Sequence, residues 1–443
     1  KLARGGPFER VCECLECSPC CRGHGSTLPM IRRCRVVLKE RAHIFRLPGS
    51  PQQHIDEAFR SAGARNMTDA ATESKLRGCV VGSLVADAAG MPCHWVYPKL
   101  HKPTYETMIS EHPDGALEFS TTTYNPFYVL PVGDFSGYGD QSYVLLKSLV
   151  EAKGWNKEVY KRLLYEHFGP GSKYEPSTMA TDSYEHDGKT AQKIPVHVSV
   201  LSRVVEYVVT RFIVKRRKGG WRHASIKEFL KRYGESASVT GLAKDAQMDG
   251  VAKVAPMVAL YAGKPELLTA VEEMVRVTQQ DPIAVECAKT AAHIMERILL
   301  QGTGDDVPSI MPDLLREADE GLPDGEATTK LKRGLKEVVS SLDEPYATFA
   351  VRETVGLSCT VPNNLINSLH CFATATATAT LSFERVTRAT MKATGCTCSR
   401  LLFLGACVGA AKGEVAVPDG WLAKTTRGEE IRELARQLVD MRT

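Results

Sequence analysis

The sequence predicts an all-α fold, a single large multi-helix bundle, and three observations predict it. From about residue 74 onward, apolar residues recur at helical spacing through most of the chain. Strand-like alternation is confined to one short stretch, Val196 to Leu201. The helical segments follow one another without the regular strand–helix alternation that builds a parallel sheet. The chain has 443 residues, 43% hydrophobic and 24% charged, which suits a soluble globular protein with a core of ordinary size.

Taken in order, residues 1–66 are rich in Cys, Arg, Pro and Gly with little periodicity, so loop or disorder is expected there. The sequence begins without Met, and Met67 stands just before the first regular segment. Residues 1–66 are therefore expected to be a disordered or extraneous Cys/Arg-rich segment, with the domain at 67–443. Cys14, Cys17 and Cys20, with Cys12, Cys21 and His24 nearby, resemble a metal knuckle. Zinc modules use a second, separated ligand pair, and an unstructured tail is the simpler reading. The first 25 residues lack the apolar stretch of a signal peptide. The eight cysteines beyond residue 66 are scattered through apolar contexts, which suits reduced thiols and a cytoplasmic location.

Ser74 to Ala89 carries small and apolar residues on nearly every face, the mark of a buried helix. Gly78 and Gly82 allow a neighbouring backbone to come close, and Pro92 ends the segment. Residues 97–137, with Pro98, Pro103, Pro113, Pro126 and Pro131, are expected to be loop-like. Gln141 to Ala152 and Glu158 to Phe168 are amphipathic helices, the second closed by Gly169-Pro170-Gly171. The strand-like stretch and basic run at about 192–218 look like an insertion. Helical rhythm resumes at Trp221 and continues through 252–262, 265–279, 283–300 and 328–342. The Ala-Thr repeat at 373–380 is expected to join two helices or to begin one. Helices at 383–392, 400–411 and 427–441 complete the bundle.

Net charge is +4, too mild for a nucleic-acid-binding face. The longest apolar candidate for a membrane span, Val196 to Val214, is broken by Arg203, Glu206 and Arg211. Neither a nucleic-acid nor a membrane partner is expected, and nothing in the pattern sets an oligomeric state.

Three segments carry the chemistry. Ala86-Asp87-Ala88-Ala89-Gly90-Met91-Pro92-Cys93-His94 closes the first helix. Gly139-Asp140-Gln141-Ser142 opens another, where Asp140 has the place of an ordinary N-cap. Thr394-Gly395-Cys396-Thr397-Cys398-Ser399-Arg400 precedes the small-residue helix Leu404 to Gly413 and the Pro418-x-x-Trp421-Leu422 signature. In order and spacing they resemble the ADP-ribosylglycohydrolase family. Within it the chain is most similar to the branch of jellyfish J-type crystallins and selenoprotein J. Tyr138 to Leu146, Phe168-Gly169-Pro170-Gly171-Ser172-x-Tyr174, Trp221 to Lys227 and Gly250 to Pro256 carry that second resemblance.

The resemblance implies an all-α fold and, in hydrolytic members, two magnesium ions acting on an ADP-ribose linkage. It implies ADP-ribose or a related small molecule as the ligand. The chain departs from the pattern where it matters. His94 stands for a glutamate, Gln141 for an aspartate, and Cys396 and Cys398 for two more aspartates. Asp140 is the weak remnant of the metal set. Magnesium needs several hard oxygen ligands, whereas cysteine selects soft metals, so no cofactor is expected and magnesium is disfavoured.

His94, Asp140, Cys396 and Cys398 are the candidate catalytic residues; Asp87, Gln141, Ser142, Gly395, Ser399 and Arg400 are the candidate ligand-binding ones. His94 serves as a base or packs at the helix end. Cys396 and Cys398 are buried small residues, a redox pair at a helix N-terminus, or soft-metal ligands. Arg400 there suits an anion. The expected function is a non-hydrolytic, crystallin-type or binding member of this fold. The alternatives are a thiol enzyme using Cys396 and Cys398, or a residual ADP-ribosyl hydrolase of N- or O-glycosidic linkages using Asp87 and Asp140.

Overall fold

Two helices meeting backbone to backbone form the centre of the molecule. The computed structural model describes residues 69–175, 217–301, 304, 307–377 and 381–442. Helix α1 (Ala70–Gly90) begins at an Asp69 N-cap, whose carboxylate accepts from Thr72 N at 2.7 Å. From Gly78 to Gly90 every residue of α1 is buried. Its main partner is α15 (Thr397–Lys412), and no other pair of described elements packs so extensively. The contact works because glycine faces glycine. A Cβ on Gly82 would sit 2.5 Å from Gly405 O, and Cβ atoms on Gly405 and Gly409 would overlap the carbonyls of Gly82 and Gly78. The close approach expected of Gly78 and Gly82 is thus met by Gly405 and Gly409. Alanine at Gly405 should lower stability by about 1–3 kcal/mol, because only backbone can yield there. Urea unfolding of that variant checks it, and an unchanged midpoint would count against the interlock.

Between these two helices in the chain lie α2 (Lys102–Glu111), α3 (Gly137–Glu151), α4 (Lys157–Phe168), α5 (Ala224–Gly234), α6 (Asp249–Ala252), α7 (Ala255–Tyr261), α8 (Leu267–Arg276) and α9 (Pro282–Gln301). Then come α10 (Val307–Gly321), α11 (Glu326–Ser340), α12 (Tyr346–Phe349), α13 (Asn363–Ala377) and α14 (Phe383–Ala393). Helices α16 (Asp419–Lys424) and α17 (Gly428–Asp440) follow α15. The described strands are β1 (Tyr128–Val129) and β2 (Arg217–Lys218), paired in parallel. The fold is all-α, as the sequence predicts, and no described helix is long and apolar enough to cross a membrane.

Several boundaries differ from expectation for local reasons. Residues 97–137 are not loop throughout: α2 starts with Pro103 in its first turn, where a missing N–H costs nothing. The expected helix at 252–262 is the shorter α7: α6 closes at Ala252, and Pro256 stands in the first turn of α7. Helices α10, α12, α13 and α16 lie outside the segments the sequence predicts as helical. The Ala-Thr repeat, where described, is the C-terminal end of α13. Residues 1–66, the Cys14–His24 knuckle and most of the insertion at 192–218 lie outside the described residues.

Candidate functional site

The C-terminal end of α1, the first turn of α3 and the first turn of α15 converge, and every candidate residue is there. Asp87, His94, Asp140, Gln141, Ser142, Cys396, Cys398, Ser399 and Arg400 are all buried. Gly395, which leads into α15, has φ +74° and presses against the Leu357 carbonyl, so a side chain is excluded.

Ser136 organises the first junction. It is the N-cap of α3, its hydroxyl accepting from Tyr138 N at 3.2 Å and Gly139 N at 3.3 Å. Asp140 therefore lies inside the first turn and is not the cap. Asp87 accepts from Ser136 N at 2.8 Å and from Ser136 Oγ at 2.6 Å. Burial pushes the Asp87 carboxyl up to about 7, against the pull of the Ser136 bonds. Position 139 must be small, because a Cβ on Gly139 would overlap the Asp87 carboxylate.

Asp140 is neutralised from within the chain. Lys173 Nζ lies 2.8 Å from Oδ2, His167 Nε2 lies 3.1 Å from Oδ1, and the Tyr174 hydroxyl donates to Oδ2. Burial alone would raise this carboxyl, but His167 and the Lys173 ammonium outweigh it and hold it at about 2. Lys173 also approaches Asp134 at 4.0 Å and lines a cleft of about 240 Å³ with Gly133, Phe135, Thr426 and Arg427.

At the second junction, Trp95 N donates to Gly395 O at 2.8 Å and Gly395 N to Val96 O at 2.7 Å. This pairing lays the α1 end against the α15 start. His94 Nδ1 accepts from Cys398 N at 3.1 Å, capping α15 in place of a side-chain oxygen. The ring hydrogen then belongs to Nε2, which finds no partner among the described residues. Burial holds this imidazole well below its ordinary pKa, and its one basic nitrogen is occupied. The geometry gives His94 a capping and packing role, stacked on Trp95 at 4.6 Å.

The two cysteines face different partners. Cys398 Sγ points at Asp87 O, 3.7 Å away, and burial raises that thiol well above its ordinary range. Cys396 Sγ lies 3.1 Å from Ser399 Oγ and 3.5 Å from Tyr138 Oη. Arg400 is fully buried; Nη2 donates to Thr394 O, while Nε and Nη1 meet no acceptor among the described residues. Ser399 Oγ accepts from Asn364 Nδ2 at 3.1 Å. The Ser142 hydroxyl is buried and meets no described partner.

A neighbouring polar cluster escaped the sequence reading. Asp249 accepts from Gln141 Nε2 at 2.7 Å and pairs with His223 Nδ1 at 2.6 Å, with Ser225 Oγ at 3.2 Å. Lys253 Nζ donates to Gln141 Oε1 at 3.1 Å and to Thr278 Oγ1 at 2.8 Å. The His223 ring stands edge-on to Tyr138, with centroids 4.1 Å apart. The Gln141 amide thus bridges a buried acid and a buried ammonium.

A pair of magnesium ions does not fit these residues. Both oxygens of Asp87 accept from Ser136, and Asp140 Oδ2 is taken by Lys173 and Tyr174. The positions that would add carboxylates offer sulfur, a poor match for a hard cation. Among the described residues no three His, Cys, Asp or Glu side chains converge as a ligand set.

The family profile for ADP-ribosylglycohydrolase matches residues 68–443. Crystallin J1A of Tripedalia cystophora is 31% identical over 377 residues, covering 85% of this chain and 99% of its own. Crystallin J1B of the same organism is 29% identical over 378 residues, with the same coverage. A solved chain from an ADP-ribosylglycohydrolase-related protein complex superposes with a TM-score of 0.53 at 17% identity, covering 84% of this chain and 99% of that one.

Proposed function

Given that the chain belongs to the ADP-ribosylglycohydrolase family, we propose that it is a non-hydrolytic member acting as a crystallin-type structural or binding protein. One observation carries this reading: the Lys173 ammonium lies 2.8 Å from Asp140, the last carboxylate of the metal motifs. A cation supplied by the chain occupies the charge that a dication would need. The Asp249–His223–Gln141–Lys253 cluster supports the same reading, because it spends the amide at Gln141 on internal bonds.

The distribution of thiols also favours a structural role. Of the eight described cysteines all are free, and only Cys359 is not fully buried. Buried thiols resist oxidation and cross-linking, which suits a protein kept at high concentration. ADP-ribose or a related small molecule remains the ligand class that family membership favours.

Calorimetric titration of the full chain with magnesium chloride should give no binding heat. Incubation with N- and O-glycosidic ADP-ribose conjugates should release no ADP-ribose above a buffer control, with or without magnesium. Magnesium-dependent release that disappears in Asp140→Asn would sink this reading and restore the hydrolase.

A further inference from the structure

Lys173, Asp134 and Arg427 line one cleft, and their charges are not paired off. The cleft, of about 240 Å³, opens between the loop at 133–135, the turn after α4 and the step into α17. Lys173 belongs to Asp140: its Nζ lies 2.8 Å from that carboxylate but 4.0 Å from Asp134. Asp134 accepts no hydrogen bond from a described residue, although its side chain is only 19% exposed. Arg427 is the converse case. Its guanidinium lies over the Tyr143 ring, 4.5 Å from the centroid, and forms no ion pair with a carboxylate among the described residues. Glu430, in the first turn of the same helix, accepts from the Tyr143 hydroxyl instead.

The walls of the cleft are fixed to one another. Thr426 N donates to Gly133 O at 3.0 Å. Gly133 has φ +92°, and a Cβ on it would lie 2.2 Å from Lys424 O, so the two segments touch backbone to backbone. Phe135 and Tyr143 are buried, which anchors the loop beside Asp134 and the ring beneath Arg427. Asp134 and Arg427 are thus held on one cleft without meeting as an ion pair. A guanidinium fork is matched by a carboxylate, which it can bind through two parallel hydrogen bonds. A carboxylate with no donor is matched by an ammonium.

We propose that this cleft binds a small zwitterion, a free α-amino acid, with the ligand carboxylate on Arg427 and its ammonium on Asp134. The charge pattern selects the class. A simple anion would meet Arg427 but be repelled by Asp134, and a simple cation would meet Asp134 but be repelled by Arg427 and Lys173. A molecule with both charges on neighbouring atoms satisfies the two ends together and leaves Lys173 with Asp140. Size points the same way. The volume falls below the roughly 300–1,000 Å³ of sites for drug-sized ligands, so the occupant is small. This site is separate from the question of magnesium and hydrolysis, because it uses neither Asp87 nor the Gln141 cluster.

The test is a thermal-shift titration of the full chain, free of magnesium and ADP-ribose, with L-alanine and L-leucine to about 10 mM. Each amino acid is run beside its two halves: propionate and ethylamine for L-alanine, isocaproate and isoamylamine for L-leucine. One or both amino acids should raise Tm saturably, with an apparent Kd at least about tenfold below that of either half, the worth of one charge-assisted hydrogen bond. Arg427→Gln should abolish the response. Asp134→Asn should remove the discrimination, so that the carboxylate half binds as well as the amino acid. The comparison within the parent protein decides the matter even where a variant fails to fold by circular dichroism. The proposal is overturned if neither amino acid shifts Tm. It is equally overturned if the carboxylate half or inorganic phosphate binds the parent as tightly as the amino acid, which would mark a simple anion site, or if a folded Arg427→Gln binds the amino acid unchanged. None of these failures touches the non-hydrolytic reading, whose own test is the magnesium and conjugate assay.

Discussion

Replacing Asp249 with alanine should cost about 3–5 kcal/mol of folding stability, the range for removing one partner of a buried charge pair. Asp249 is almost wholly buried and is the acceptor on which Gln141, His223 and Ser225 all converge. Burial works against its charge, yet His223 and the other donors hold its carboxyl at about 2. Without it, His223 loses the partner that raises its pKa, and Lys253 keeps a buried ammonium with only neutral oxygens. Burial already brings the Lys253 ammonium down to about 8, and losing Asp249 should lower it further.

The pH dependence gives a second readout. The folded pKa of His223 is raised, so its stabilising contribution is complete below the unfolded value of about 6.5 and fades as pH rises through the folded value. Asp249→Ala should abolish that part of the curve as well as lower it. Urea titrations at pH 5.5 and 8 measure both effects. A loss below about 1 kcal/mol would show that the cluster tolerates an unpaired core, against the idea that it replaces the ancestral centre.

Much of the architecture was legible because it rests on local pattern. The all-apolar face of α1 and the glycines at 78 and 82 announce a buried helix in close contact, and α15 supplies the matching glycines at 405 and 409. The amide at Gln141 and the thiols at Cys396 and Cys398 are legible in the sequence itself; their partners are not. Lys173 lies in the turn that follows α4, and nothing in its neighbours shows that the turn delivers it to Asp140, more than thirty residues upstream. Gln141, His223 and the Asp249–Lys253 pair come from the start of α3, the start of α5 and the single short helix α6, which meet only through tertiary packing. Cys396 and Cys398 meet different partners for a local reason: residues two apart at the start of a helix point in different directions, so Cys396 Sγ faces Tyr138 and Ser399 while Cys398 Sγ faces the Asp87 carbonyl.

Asp87→Asn should make folding stability less dependent on pH, turning a small penalty at pH 5 into a gain over the parent of about 1–2 kcal/mol at pH 8. The carboxyl has no exposure, and its pKa of about 7 reflects burial above all, assisted by the charge on Asp140. The sign is that of an acid raised on folding: its contribution is complete below the unfolded value near 3.9 and is lost as pH rises toward 7. Asp245, also raised to about 7, adds to the slope of the parent, so the variant should flatten the curve without levelling it. Asp140 and Asp249 are held near 2 and lose their contribution only as pH falls below about 4, outside this window. Asparagine keeps the shape, its carbonyl accepting from Ser136 N while its amide replaces one carboxylate oxygen facing the Ser136 hydroxyl. A penalty of about 1 kcal/mol at pH 5 is therefore expected, giving way to a gain at pH 8. The same variant separates the two views of the site. A carboxylate kept to hold magnesium would make the parent gain stability from added magnesium at pH 8, and the asparagine variant would lose that gain. A carboxylate left as a structural acceptor for Ser136 predicts curves that magnesium does not move in either protein, and a stability difference that depends on pH alone.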